Sequence, residues 1–451
     1  MHPIMTKLAR RSAARGRSLE STLLFAGCMG LVTACGGSGS GPAATGGTSA
    51  MDAGGSAGTD SHTAGGSAGT SNAQPTGGST TGGSDSSSGG KVVFDPDPVF
   101  PPEPAKGTPG VWEEVTSPMM DAARLRSGDS AFGIGNVVAD PVHPNELYVG
   151  GQGEIWKSVD YGLTWNKLNS NPNPPALALG HVLAVAGTSP PTVWMANVRG
   201  PQFVYRSRDG GLNFELTGTI PEEPTAQSLY SIEVNPNDPT HLITGLHEED
   251  GVLESTDSGD TWHFINGPGW ISGISWFIYF INTGDPETSR KTFFAIAQSG
   301  GSGMITRDGG KSWKVAGGLS KIEHPHGGGS MWQNGDSLFV AGIYGENGNG
   351  VYRSTDHGEN WTRVSEGNSA VVWGSDKNVY TGWGWACAGC DAGADGPGFK
   401  VAPMPGDAWT PVKTPDRLNW GPNSVAITTD GEKTIFVGSM WGTGMWRYIE
   451  P

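Results

Sequence analysis

Positive charge, cysteine and long apolar runs are all scarce in this chain of 451 residues. Lysine and arginine number 28 against 44 aspartates and glutamates, and beyond the first 20 residues they form no basic run. Nucleic-acid affinity rests on lysine and arginine neutralising phosphates, so the chain reads as a poor nucleic-acid binder and no nucleic-acid partner is expected. Of four cysteines only Cys387 and Cys390 lie beyond residue 35, a single C-x-x-C pair. In an exported chain such a pair reads as a disulfide. The metal-site alternative needs two more ligands, and only Asp391 and Asp395 are near. No metal and no cofactor are expected. The apolar run Leu23–Ala34 is too short to span a bilayer permanently.

That run follows Lys7, Arg10, Arg11, Arg15 and Arg17, so residues 1–34 read as an export signal. Its end, Val32-Thr33-Ala34-Cys35, resembles the bacterial lipobox, which implies that Cys35 is diacylated and becomes the mature N-terminus. An ordinary secretory signal is the alternative, and Cys28 is a second candidate with a shorter apolar run before it. Removing 1–34 takes away five basic residues and Glu20, which shifts the net charge from −16 to about −20. The chain should therefore be exported and lipid-anchored in the envelope, at the outer membrane or cell surface. It would touch the membrane through its lipid alone.

Residues 35–91 are almost entirely Gly, Ser, Thr and Ala and cannot bury enough surface to offset ordering entropy, so they read as a flexible tether. Residues 92–110 are rich in proline and read as a stiffer extended spacer. The folded unit is then 111–451, expected as a monomer.

Within that unit one pattern recurs five times: SVDYGLTW (158–165), SRDGGLNF (207–214), STDSGDTW (255–262), TRDGGKSW (306–313) and STDHGENW (354–361). Their terminal aromatics, Trp165, Phe214, Trp262, Trp313 and Trp361, are spaced 49, 48, 51 and 48 apart. A period near 50 with an aromatic anchor marks repeats that bury their cores only against one another. The aspartate accepts hydrogen bonds from amides of its own turn, and the glycine supplies positive φ.

Upstream of each copy lies a strand-like run: ELYVGG (146–151), TVWMAN (192–197), HLITGL (241–246), TFFAIAQ (292–298) and SLFVAGI (337–343). Two more, NVYTGWGW (378–385) and TIFVGSMWG (434–442), bring the count to seven. The sixth unit keeps Trp409 but has Pro403 and Pro405 in place of the motif, and the seventh stops one strand short. GVWEEVTS (110–117) matches the missing strand, so the N-terminal strand should close the ring. The expected fold is all-β, a seven-bladed β-propeller of four-stranded antiparallel blades, with six blades as the alternative.

The pattern S/T-x-D-x-G-x-x-W/F resembles the Asp-box (BNR repeat) of sialidases, xyloglucan endoglucanases, sorting receptors and photosystem assembly factors. The resemblance covers about 111–451 and implies the fold; the motif is shared by enzymes and non-enzymes. It also implies that Asp160, Asp209, Asp257, Asp308 and Asp356 are structural. A ligand is expected on the opposite face, built from inter-blade connections and turns between second and third strands. Candidate ligand-binding residues there are Arg124, Arg199, His247, Trp383, Trp385, Trp420 and Trp441. Aromatic rings with interspersed polar groups suit sugar rings. Catalytic candidates are Glu248, Glu249 and Asp250, facing a second carboxylate such as Glu346, with Tyr344 a candidate nucleophile. His324 and His326 could ligate a metal, but no fixed third ligand is visible and three glycines follow, so they read rather as surface imidazoles of a turn.

The sialidase likeness implies an arginine triad, for which Arg124 or Arg126, Arg199 and Arg417 are available, but that family's early Arg-Ile-Pro is absent. Xyloglucan endoglucanases place a catalytic Asp after the second strand of the first blade, where this chain has Gly151-Gln152, and they use two facing propellers. Three functions stay open: a tethered glycan-binding module, a glycoside hydrolase or polysaccharide lyase on the same face, and a scaffold for an envelope protein.

Overall fold

The computed structural model describes residues 97–120, 136–151, 154–168, 181–197, 204–218, 229–246, 251–265, 276–297, 302–320, 331–342, 350–367, 369–382, 399–440 and 443–451. All belong to the unit Asp85–Pro451.

The described strands form seven sheets of four. β1 (Trp112–Glu114) stands apart from its sequence neighbours. Blade 1 holds β2 (Val137–Ala139), β3 (Leu147–Gly151), β4 (Glu154–Ser158) and β5 (Asn166–Lys167). Blade 2 holds β6 (His181–Ala186), β7 (Thr192–Asn197), β8 (Val204–Ser207) and β9 (Glu215–Leu216). Blade 3 holds β10 (Leu229–Asn235), β11 (Asp238–Leu246), β12 (Val252–Ser255) and β13 (His263–Ile265). Blade 4 holds β14 (Trp276–Phe280), β15 (Phe293–Ala297), β16 (Ser302–Thr306) and β17 (Lys314–Ser320). Blade 5 holds β18 (Met331–Asn334), β19 (Ser337–Gly342), β20 (Gly350–Ser354) and β21 (Thr362–Glu366). Blade 6 holds β22 (Val371–Gly374), β23 (Asn378–Gly382), β24 (Lys400–Pro403) and β25 (Thr410–Pro411). Blade 7 holds β26 (Ser424–Thr429), β27 (Thr434–Met440) and β28 (Gly444–Ile449), and its fourth strand is β1. The fold is a seven-bladed β-propeller closed by its N-terminal strand.

Closure has a physical basis. β1 lies antiparallel to β28, with Trp112 opposite Tyr448. The two rings stack at 5.0 Å, and Trp112 meets Phe399 of blade 6 edge-on at 5.7 Å. Without β1, the backbone groups of β28 would be an open edge. Each second strand is buried along nearly its whole length because it lies mid-sheet between two neighbouring blades.

The repeated motif joins the third strand of a blade to its fourth. In blade 3, Ser255 Oγ donates to Asp257 Oδ1 at 2.8 Å and accepts the Gly259 amide at 2.7 Å. Asp257 then takes the Thr261 amide at 2.8 Å and the Thr261 hydroxyl at 2.5 Å. The same bonds recur around Asp160, Asp209, Asp308 and Asp356. The side-chain donor just before the aromatic is Thr164, Asn213, Thr261, Ser312 or Asn360. The sequence reading missed these residues, though all five are short and polar.

Two successive residues in each motif turn have positive φ: a glycine preceded by Tyr161 (60°), Gly210 (73°), Ser258 (63°), Gly309 (73°) or His357 (55°). A side chain in this left-handed region costs about 1–2 kcal/mol. The three non-glycine residues share one support: their carbonyls accept hydrogen bonds from an arginine of the preceding blade. Arg447 Nε reaches Tyr161 O at 2.8 Å, Arg206 reaches Ser258 O at 2.6 Å and Arg307 reaches His357 O at 3.4 Å. Arg447 is wholly buried. The glycine after each packs on the preceding blade; a Cβ on Gly162 would lie 2.7 Å from Val437.

Candidate functional site

Every second-to-third-strand turn carrying a catalytic candidate falls outside the described residues. So do Glu248, Glu249, Asp250, Tyr344 and Glu346, and so do Arg124, Arg199, His247, Trp383, Trp385 and Trp441. Cys35, Cys387 and Cys390 lie outside them too.

Of the candidates named for the opposite face, Trp420 and Arg417 have described side chains, while Arg126, His324 and His326 lie outside the described residues. Trp420 is 1% exposed and belongs to the core cluster of blades 6 and 7 with Trp373, Phe399 and Trp446. Its place is in packing, not on an open face. Arg417 is exposed and is committed to a carboxylate of its own chain: it donates to both Glu114 oxygens, at 2.8 and 2.6 Å, and to Thr443 O at 3.2 Å. It thereby ties blade 7's incoming connection to β1.

The motif carboxylates are spent on their own turns. Burial works to raise Asp209, Asp257 and Asp356, but hydrogen bonds from the residue four places on outweigh it and hold each below the usual carboxylate value. For Asp308 the Ser312 hydroxyl is the leading cause of the same lowering.

Titratable groups inside the ring behave differently. Glu233 and Tyr279 occupy equivalent positions on β10 and β14, the innermost strands of adjacent blades. Burial pushes the Glu233 carboxyl from an ordinary 4.5 up to about 8. Burial, then the charge of Glu233, also raises Tyr279. At neutral pH Glu233 is thus chiefly a neutral acid, able to donate a proton. The sequence reading passed over both residues, since alternation along a strand says which face a residue takes but not how wet that face is.

Two further clusters sit on the motif side of the ring. Asp140, His143 and Glu146 bring ligand-type atoms within 4.8 Å of one another. Asp140 Oδ1 accepts the amides of Val142 (2.8 Å) and His143 (3.1 Å), while Oδ2 meets His143 Nδ1 at 3.1 Å. Burial raises Asp140 despite these bonds. Lys157 Nζ lies 2.6 Å from Glu146, so an ammonium already supplies the cluster's cation. The equivalent place in blade 3 holds His241, with Nε2 on Glu254 at 2.8 Å and Nδ1 on Asn235 at 3.1 Å. Both clusters tie the first two strands of a blade to the third, which makes them braces.

No family model matches the chain. In sequence it is 25% identical over 287 residues to the xyloglucanase Xgh74A of Acetivibrio thermocellus, an overlap of 56% of this chain and 28% of that protein. A xyloglucanase of Paenibacillus sp is 27% identical over 227 residues, covering 39% of this chain and 20% of that one. The chain therefore spans less than a third of the length of the curated relatives it matches. Among solved structures, U3-55K superposes with a TM-score of 0.51 at 10% identity, covering 77% of this chain and all of that one, a likeness of fold alone. The molecule is a seven-bladed propeller similar in sequence to part of two bacterial xyloglucanases.

Proposed function

We propose that this chain is a lipid-anchored envelope protein whose propeller binds an extracellular polysaccharide of the β-glucan type on the face opposite the motif turns. The observation that carries this reading is the sequence similarity to two xyloglucanases over 287 and 227 residues. The tryptophans and carboxylates placed by sequence in the second-to-third-strand turns support it, since sugar rings stack on aromatic faces and their hydroxyls need polar partners. Binding is favoured over hydrolysis by one substitution. Gly151-Gln152 stands where the resemblance to xyloglucan endoglucanases would put a catalytic Asp, and an amide cannot act as general base.

The test is a binding screen of the protein on xyloglucan, unsubstituted β-glucan, xylan and chitin, with release of reducing ends followed in parallel. Retention on xyloglucan without release, lost in Trp383→Ala and kept in Glu248→Gln, is the expected result. Release abolished by one carboxylate substitution would make the protein a hydrolase. Neither binding nor release on any polymer would overturn the glycan reading.

A further inference from the structure

The innermost strands of neighbouring blades are tied together by side-chain amides that imitate a strand partner. Asn136, just before β2, donates from Nδ2 to Leu183 O at 2.6 Å and accepts the Leu183 amide on Oδ1 at 2.8 Å. Gln333 of β18 does the same to Asn282, beyond the end of β14: Oε1 accepts the Asn282 amide at 2.9 Å and Nε2 donates to Asn282 O at 2.5 Å. One carboxamide thus satisfies both main-chain groups of a residue that faces away from its own second strand. Strand residues alternate between those that pair across the ladder and those that point both groups away. Val185, two places beyond Leu183, therefore turns its N–H and C=O to the same side as Leu183 does. Among the described residues nothing takes up that pair.

Val185 lies in the wall of a cavity of about 250 Å³ at the motif end of the inner strands. Ala139 and Val142 of blade 1 and Val234, Asn235 and Pro236 of blade 3 contribute to the same wall. Its one side-chain amide is committed elsewhere: Asn235 Nδ2 donates to Arg290 O at 3.0 Å and meets His241 Nδ1 at 3.1 Å, while Oδ1 accepts the Asn237 amide at 3.0 Å. The other lining side chains are aliphatic, proline or glycine. Val99, whose amide bonds Val142 O at 2.6 Å, is 53% exposed and adds apolar surface beside the cavity.

We propose that this cavity is a peptide site. An extended segment of another protein places one valine- or leucine-sized side chain in it and pairs its main chain with Val185 as Asn136 pairs with Leu183. An apolar cavity of roughly 150 Å³ already admits benzene, so a branched aliphatic side chain with its flanking amides fits the space. A donor and an acceptor on one strand edge match a peptide, which carries the same pair at strand spacing. A sugar ring would instead leave hydroxyls against valine and proline, which costs free energy for every group without a partner. The cavity lies on the motif side, so the inference does not rest on the polysaccharide reading of the opposite face.

The experiment titrates the full chain with the capped tripeptides acetyl-Ala-Val-Ala-amide and acetyl-Ala-Leu-Ala-amide, followed by ligand-detected NMR. Saturable binding is expected, weakened about tenfold or more when every peptide N–H is methylated and when the central side chain is aspartate. It should also be lost when Pro141→Asp and Pro236→Asp are combined, since both residues are exposed and line the cavity, in a protein that still melts cooperatively. The methylated peptides make the same test on the parent protein, whether or not that variant folds. No saturable binding, binding undiminished by methylation, binding kept in the folded double variant, or displacement of the peptides by xyloglucan oligosaccharide would each overturn the proposal.

Discussion

Replacing Glu233 with glutamine isolates the cost of holding one carboxyl inside the ring. Unfolded, this group ionises near 4.5; folded, burial holds it up to about 8. The native state therefore binds the proton more tightly than the unfolded chain does. Its stability is highest at or below the unfolded value, falls as pH rises from 4.5 towards 8, and levels off above. The window is about 3.5 pH units, and at about 1.4 kcal/mol per unit it caps the loss near 5 kcal/mol. Glu233 keeps partial exposure, so water offsets part of this, and a loss of about 2–3 kcal/mol is expected between roughly pH 5 and pH 8.5. Glutamine resembles the protonated acid in shape and cannot ionise. Urea unfolding followed by tryptophan fluorescence should then give Glu233→Gln the stability of the parent near pH 5 and an advantage near pH 8.5. An equal difference between the two proteins at both pH values would refute the burial argument.

Two other outcomes follow from the packing. Ser258→Gly should stabilise the protein by about 0.5–1 kcal/mol, because it relieves a left-handed residue and keeps the carbonyl that Arg206 holds. A lower melting temperature would sink that account of the arginine bonds. Trp112→Ala removes a ring that is 6% exposed and stacked between blades 6 and 7, and should cost about 3–5 kcal/mol in a denaturant titration. A loss below about 1 kcal/mol would mean that β1 contributes little to closure.

The repeat made the blades readable, because the same packing problem is solved seven times with the same residue types. The runs ELYVGG, SLFVAGI and TIFVGSMWG correspond to β3, β19 and β27 within a residue or two, and GVWEEVTS contains β1. What the sequence hid is what joins distant residues or depends on local wetness. Nothing in Asp430 announces that its carboxylate caps the Ala105 amide, and nothing in Arg447 announces that it spans from Tyr161 to Lys106. Trp420 shows the limit from the other side: a tryptophan in a connection reads equally as a binding platform or a wedge, and only its neighbours decide. The turns between second and third strands share no sequence pattern from blade to blade, so residue types alone placed the candidates there.

Pairing the first strand with the last also orders events in time. Synthesis delivers β1 long before β28, so Trp112 has no partner until the chain has emerged as far as Tyr448. Six blades can form locally as they appear, but the seventh must wait, and the long loop it closes makes that step slow. A chain cut short before β28 would therefore be left with two open sheet edges facing each other across a gap. Such a product is a target for proteases and for strand exchange with another copy, so the ring reports its own completeness.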